Sequence, residues 1–221
     1  MEHLLEVLRS AQKQAEEAEV FCVSSRKIPV HFEANHLKQV HNKENTSVAL
    51  RITKGGRIGL ATATGPYMGG DKPRLYKEGK GEVETLVGMA VETSQFGLSA
   101  NFQFPASTGY PQVGVFDSGV EELGVEKTIE LGEELIAKVR EYAPDILCDV
   151  EVSKGIYSVH IINSRGGEAS YDKSLFGISL EGLLIQDTDM LFVGDSESSC
   201  CLPSASDILA DRVIRQLELA K

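Results

Sequence analysis

Three of the five histidines lie at equal intervals and are the first candidates for metal chemistry: His31, His36 and His41. Side chains on one face of a strand recur at even spacings, and those on one face of a helix recur at three or four residues. An interval of five fits neither pattern. None of the five histidines is followed by glutamate, so the sequence has no His-Glu zinc-peptidase helix. We interpret these histidines as polar strand residues that face water, and His160 as a strand residue rather than a ligand.

A second candidate is a group of oxygen ligands for a hard cation, formed by Asp187, Asp189, Asp195 and Glu197. The group lacks the Asp-x-Asp-x-Asp-Gly spacing of a calcium loop. Turn chemistry accounts for the Asp-Thr-Asp triplet at its start without any ion. We therefore interpret these carboxylates as turn and surface residues.

The cysteines do not indicate a zinc site or a nucleophile. They form no CxxC pair, and no histidine lies near them at ligand spacing; the four are Cys22, Cys148, Cys200 and Cys201. The serines between 196 and 206 lack a Gly-x-Ser-x-Gly elbow. We expect reduced thiols and no cysteine or serine hydrolase chemistry.

Charge and composition narrow the class of protein. The 221 residues carry a formal charge of −11 at pH 7, and 42% are hydrophobic. Nucleic-acid binding depends on clustered basic residues, whereas the densest basic group is interrupted by Glu78; it consists of Lys72, Arg74, Lys77 and Lys80. No apolar run is long enough to cross a bilayer, and the chain begins with acidic residues where a signal peptide would be positive. We expect a globular cytoplasmic protein that binds neither nucleic acid nor membrane.

Apolar periodicity predicts the helices that must position any site. The first covers residues 3–17, with Leu4, Leu8, Ala11, Ala15 and Ala18 on one face. The second carries Val83, Leu86, Val87, Ala90 and Val91. The third covers 125–142 before Pro144, with Val125, Ile129, Gly132, Ile136, Val139 and Ala143. The last has its N-cap at Ser204 and carries Leu209, Val213, Ile214 and Leu217.

Short strands separate these helices. The first half has strand patterns at 19–24, 27–34, 37–42, 47–53 and 57–63, and the second at 148–152, 156–163, 168–173, 175–180, 183–186 and 190–193, with a further candidate at 112–116. Each half has the order helix, about four strands, helix, which is compatible with a structural duplication. We predict an α+β fold of antiparallel sheets flanked by helices, with halves at 1–100 and 110–221 and a glycine-rich hinge at 96–124.

The hairpin from Val48 to Thr62 also resembles the N-terminal domain of the TldD/PmbA family. An apolar strand ends at Arg51, and a turn with Gly56 leads to Gly59 in the second strand. Three further segments resemble the family in the same order: 18–21 after the first helix, the Asn-Ser-x-Gly turn formed by Asn163, Ser164 and Gly166, and the closing helix at 203–220. We expect structural roles for the six residues that match the family pattern: Arg51, Gly56, Gly59, Asn163, Ser164 and Gly166.

The resemblance implies a part in proteolysis. The family comprises metallopeptidases and their metal-free partner subunits, and it also carries the older label of DNA gyrase modulators, which the acidic charge does not favour. Its metal site is a His-Glu-x-x-x-His helix with a later Cys in the C-terminal half. We expect that metal-site domain to be absent from this chain, so the chain has no catalytic residue and no cofactor, and zinc belongs only to a catalytic C-terminal half.

The expected function is therefore that of a scaffold, peptide-guiding and dimerisation region. Its partners would be unfolded or flexible peptides and a second copy or a related subunit. Two alternatives remain open: a stand-alone peptide- or protein-binding module, and the metal-free partner subunit of the family.

Overall fold

Five helices and seven strands form the fold in the computed structural model, which describes residues 1–66, 81–106, 110–203 and 207–220. The helices are α1 (Glu2–Gln12), α2 (Gly81–Ser94), α3 (Ser118–Glu122), α4 (Val125–Tyr142) and α5 (Asp207–Leu219). The strands are β1 (Glu17–Glu33), β2 (His36–Val40), β3 (Lys43–Lys54), β4 (Arg57–Pro66), β5 (Leu147–Asn163), β6 (Glu168–Gln186) and β7 (Asp189–Ser199). The predicted α+β class is confirmed.

The strands follow the hydrogen-bonded order β4-β3-β1-β5-β6-β7, and β2 pairs with β1. The fold divides into two compact units. Unit 1 consists of Met1–Arg26, Glu44–Gly114 and Tyr157–Asp172, and unit 2 consists of Lys27–Lys43, Val115–Ile156 and Lys173–Lys221. The division of the chain into 1–100 and 110–221, and the duplication of its halves, stay predictions.

The core of unit 1 forms where α1 and α2 bury their apolar faces. Those faces consist of Leu4, Val7, Leu8 and Ala11 from α1 and Val83, Leu86, Val87 and Ala90 from α2. They share a core with buried residues of β1 and β3. The first helix is shorter than predicted, because Glu16 N donates to Thr53 O (2.9 Å) and the chain enters the sheet there. Ala18 is consequently buried as a strand residue, not as part of the helical face.

The core of unit 2 lies under α4 and α5. Helix α4 has the predicted bounds and buries Gly132, Leu135, Ile136 and Val139, and α5 buries Leu209, Ala210, Val213 and Leu217. Gly132 permits a close approach, since a Cβ added there would lie 2.2 Å from Cε2 of the buried Phe32 ring. This helix therefore packs against an aromatic ring through a position without a side chain.

Several predicted strand interruptions are wrong. The turn predicted at 153–155 lies inside the continuous strand β5, and β1 and β6 run through predicted breaks at 25–26 and at 174. The place of these strands in the sheet overrides a local turn preference. The strand predicted at 112–116 is not formed, whereas α3 follows unpredicted, with Asp117 as its N-cap accepting from Gly119 N (2.8 Å).

Two predicted features lie outside the described residues. They are the N-cap at Ser204 and the basic group formed by Lys72, Arg74, Lys77 and Lys80. No helix in the described parts of the chain is long and apolar enough to cross a membrane.

Candidate functional site

Arg51 lies at the centre of a polar and aromatic cluster in unit 1. Its Nη2 donates to Glu19 Oε1 at 2.6 Å, and Glu19 is buried in β1. The guanidinium carbon lies 5.5 Å from the ring centre of Phe102 and 5.0 Å from that of Phe104. These distances are within the range of a cation–π contact. Arg51 thus joins the sheet to the segment that carries the two aromatic rings.

A second acidic residue of β1 holds the same segment. Glu17 Oε2 accepts from Phe104 N at 3.0 Å, and Glu17 Oε1 lies 3.3 Å from Arg165 Nη1. The rings of Phe102 and Phe104 meet edge to face, with their centres 5.4 Å apart. Both carboxylates of the segment Glu17-Ala18-Glu19 therefore bind groups from distant parts of the chain.

The Asn163 turn is satisfied by its own hydrogen bonds. Asn163 Oδ1 accepts from Arg165 N (2.9 Å) and Gly167 N (3.0 Å), and its Nδ2 donates to Pro105 O (2.9 Å). Gly166 has φ +80°, a conformation that glycine adopts without strain. Because both polar atoms of the side chain are engaged, Asn163 holds this turn in place.

Ser164 joins this turn to β1. Its Oγ accepts from Ala18 N at 3.0 Å, and its own backbone N donates to Ala18 O at 2.8 Å. The structure therefore brings Arg51, Asn163, Ser164 and Gly166 around one segment of β1 and the 102–105 segment. Sequence patterns did not identify Glu17, Glu19, Phe102 and Phe104 as members of this cluster. The only local signal was the pair of acids two residues apart at a strand start.

The other two residues of the family pattern lie elsewhere in unit 1. Gly55 and Gly56 have φ +58° and +67° in the two-residue turn between β3 and β4, as a type I′ hairpin requires. A Cβ at Gly59 would lie 2.0 Å from Ala90 O, so glycine allows α2 to approach β4 closely. These residues have turn and packing roles.

The described residues do not fit the zinc centre that the family resemblance implies. Among them, no group of three or more His, Cys, Asp or Glu is arranged to hold a metal ion. His36 and His41 are exposed and His31 is half-buried. No catalytic step through a metal follows from these residues.

The carboxylates near the C-terminal end are engaged in other contacts. Arg212 Nε lies 2.8 Å from Asp195 Oδ2, and its Nη2 lies 2.9 Å from Glu197 Oε2. Asp187 has φ +51° in the two-residue loop between β6 and β7, a conformation that aspartate tolerates. Two ion pairs and one turn conformation therefore account for three of the four residues that could have bound a hard cation.

The buried thiols are not activated. Burial raises the pKa of Cys148 to about 11, and burial likewise raises the pKa of Cys22. Nucleophilic cysteines require the opposite shift, because the thiolate is the reactive form. Cys201 is exposed, and all four cysteines are free.

Unit 2 contains a groove of about 700 Å³ on the sheet formed by β5, β6 and β7. Its apolar lining includes Leu147, Leu183 and Phe192. Along β5, Leu147 and Asp149 alternate with the buried Cys148 and Val150. Since successive side chains of a strand point to opposite faces, the groove lies on the face opposite the helix-covered core.

The outer edge of β7 is closed at one point. The side-chain amide of Gln216 in α5 accepts from Gly194 N and donates to Gly194 O, both at 3.0 Å. This pair of bonds is the one that a neighbouring strand would make. The Gln216 amide thus takes the place of an added strand at Gly194.

Comparisons with known proteins agree with this fold. The model of the PmbA/TldA metallopeptidase domain 1 matches residues 18–67, and that of the PmbA/TldA metallopeptidase central domain matches residues 119–219. No curated protein matches the sequence.

Three solved structures are similar to this chain over nearly all of its length. TldE from Thermococcus kodakarensis has 16% identity and a TM-score of 0.76, covering 97% of this chain and 47% of that one. Two proteins that carry the gyrase-modulator label have 14% identity. The one from Thermotoga maritima has a TM-score of 0.71, and the match covers 97% of this chain and 47% of that one. The one from Bacteroides thetaiotaomicron has a TM-score of 0.78, and the match covers 98% of this chain and 49% of that one. The likeness shows the fold, and this chain spans about half the length of those chains.

Proposed function

Because this chain belongs to the PmbA/TldD metallopeptidase family, we propose that it guides extended peptide segments towards a peptidase centre that lies outside the residues described here. In this role it is a non-catalytic scaffold that associates with a second copy or a related subunit. Its substrates are unfolded or flexible peptides. The observation that supports the proposal is the outer edge of β7.

Strand β7 stands at the end of the strand order and pairs on one side with β6. Gln186 pairs with Asp189 across a two-residue loop, so the residues that bond β6 are Asp189 and every second residue after it. Met190, Phe192 and Gly194 consequently direct their N–H and C=O groups outward. Gln216 takes the groups of Gly194, and within the described ranges no partner takes those of Met190 and Phe192 on that side.

The side chains at this edge are also accessible. Met190 is 63% exposed and Phe192 is 72% exposed. An extended peptide that adds to such an edge gains main-chain hydrogen bonds without regard to its sequence, while exposed apolar side chains gain contact area. Both properties suit a protein that holds peptides of many sequences.

The opposite end of the strand order is less suited to this role. On β4, Ile58 N donates to Leu98 O at 2.9 Å and Leu60 N donates to Thr93 Oγ1 at 3.0 Å. The outward backbone groups at the start of β4 are therefore already paired, which favours β7 as the docking edge.

Fluorescence anisotropy with a labelled decapeptide of alternating valine and serine tests the proposal. The peptide is expected to bind the chain, and a version with alternate backbone nitrogens methylated is expected not to bind, because it lacks the donors of a β-ladder. Equal binding of the two peptides, or binding of neither, would refute strand addition as the mode of peptide holding.

A pair of substitutions at Phe192 locates the site. Phe192→Pro removes an outward N–H without breaking a bond to β6, and edge strands tolerate proline at such positions. It is expected to abolish binding, whereas Phe192→Ala keeps the N–H and should weaken binding by less. A Phe192→Pro chain that folds and binds the peptide like the wild type would place the docking edge elsewhere.

A further inference from the structure

We propose that the groove beside β7 selects cationic side chains from the bound peptide, with Glu181 as the carboxylate that receives them. This inference rests on the proposed function, since it assumes that an extended peptide lies along β7. It adds a preference among peptides that main-chain bonding alone does not provide.

The charged residues that line the groove are all acidic. Its lining contains four carboxylates, Glu33, Asp149, Glu181 and Asp195, and neither lysine nor arginine. A cleft lined by one sign of charge attracts ligands of the opposite sign. The apolar floor formed by Leu147, Leu183 and Phe192 would contact the aliphatic stems of lysine or arginine.

Three of the four carboxylates already have partners. Glu33 lies 2.8 Å from Lys38 Nζ, Asp149 Oδ1 accepts from Ala34 N at 2.8 Å, and Asp195 pairs with Arg212. Glu181 is exposed and has no polar partner among the described residues. It is the carboxylate of this groove that gains most from a cation.

The register places Glu181 within reach of the β7 edge. Glu181 pairs with Gly194 of β7, so the two residues share a face, and glycine places no side chain between the outer edge and the carboxylate. A Cβ at Gly194 would lie 3.4 Å from Glu181 Cγ. Neighbouring strands are about 4.8 Å apart, so an added strand lies about 10 Å from β6. A lysine stem and the glutamate stem together span that distance.

Phe192 fixes the position of the selected side chain. Phe192 lies two residues before Gly194 and on the same face of β7. A peptide residue opposite Phe192 therefore directs its side chain over the groove, while Gln216 occupies the edge at Gly194 itself. The cationic side chain must reach Glu181 diagonally past Gly194, which favours long side chains over short ones.

Three labelled decapeptides test the inference: the neutral valine–serine peptide, a version with two serines changed to lysine, and one with two changed to glutamate. The lysine peptide is expected to bind the wild type about three- to fivefold more tightly than the neutral one at low salt, as partly exposed charge pairs allow. About 0.5 M salt should remove most of the difference.

Two variants that each remove one negative charge separate the groove from the general charge of the chain. Glu181→Gln should reduce the lysine preference to about twofold or less, whereas Glu133→Gln, on an exposed position of α4, should leave it unchanged. Equal effects of the two variants, or equal binding of the three peptides, would overturn the inference. Failure of all three peptides to bind would instead refute the proposed function.

Discussion

Replacing Gly132 by alanine is expected to destabilise unit 2, whereas the same replacement at Gly88 is expected to stabilise unit 1. Both glycines lie inside helices, α4 and α2, where alanine is favoured over glycine by about 1 kcal/mol. The two sites differ in the space around a new methyl group. A Cβ added at Gly88 would meet no atom within 4 Å. Gly88→Ala should therefore raise the free energy of unfolding by almost the full helix preference of alanine, about 1 kcal/mol.

At Gly132 the methyl group would enter occupied space. Its Cβ would lie 2.2, 2.8 and 3.0 Å from three carbon atoms of the Phe32 ring, whereas carbon atoms in contact lie about 3.5 Å or more apart. Phe32 is 1% exposed, so its ring has no solvent to move into. Because the nearest contact would be 2.2 Å, the cost of overpacking should lie near the upper end of its usual range, at about 3 kcal/mol. Subtracting the helical gain of about 1 kcal/mol leaves a net loss of about 2 kcal/mol.

Thermal unfolding followed by circular dichroism measures the change in stability of both variants. For a chain of this length the loss corresponds to a midpoint about 4–8 °C lower for Gly132→Ala, with a small rise for Gly88→Ala. Adding Phe32→Leu to Gly132→Ala should cost less than the sum of the two single losses, because the smaller side chain leaves room for the methyl group. A wild-type midpoint for Gly132→Ala, or strict additivity in the double variant, would refute this account of the helix packing.

Four further outcomes follow from the same structure. Ile136→Asp puts a charge on the buried face of α4 and should cost several kcal/mol, with Glu133→Gln nearly neutral; equal thermal midpoints would contradict the helical phase. Because burial raises the pKa of Cys148 from 9.0 to about 11, the folded state keeps a proton that the unfolded state loses, so stability should fall between pH 9 and 11 in urea titrations. Cys148→Ser should flatten that fall. Chelator-washed chain, given zinc and then dialysed, should retain less than one equivalent by elemental analysis. Phe96 and Leu98 are 85% and 81% exposed, so sedimentation should detect a defined small oligomer. A monomer at about 100 µM would argue against a dimerisation surface here.

Four of the five helices in the described residues could be predicted from the sequence, because their signal is local. The bounds of α4 and most of its buried face follow from apolar residues at steps of three and four, and the stretch ends before Pro144. The β3–β4 hairpin is equally local, since Gly55 and Gly56 at positive φ determine both its loop and its register. The resemblance to the family lies partly in the same hairpin.

Strand continuity was decided by tertiary structure. Residues 153–155 have the composition of a turn, yet they continue β5, because neighbouring strands supply the hydrogen bonds that a turn would otherwise make. A local pattern holds no information about which strand pairs on either side. The reverse error occurred at 112–116, where an apolar alternation formed no strand, although Val115 O accepts from Ser174 N at 3.0 Å.

The candidate sites depended most on the tertiary structure. Arg51 and Asn163 were identified by their place in a family pattern, but their partners Glu19 and Pro105 lie 32 and 58 residues away in the sequence. The pairing of the Gln216 amide with Gly194 joins a helix to a strand edge across 22 residues. Composition and periodicity determined which segments could be helical and which residues could be buried. Which polar groups meet was determined by the packing of distant segments, because hydrogen bonds and ion pairs require atoms within about 3 Å, and that condition is set by the fold.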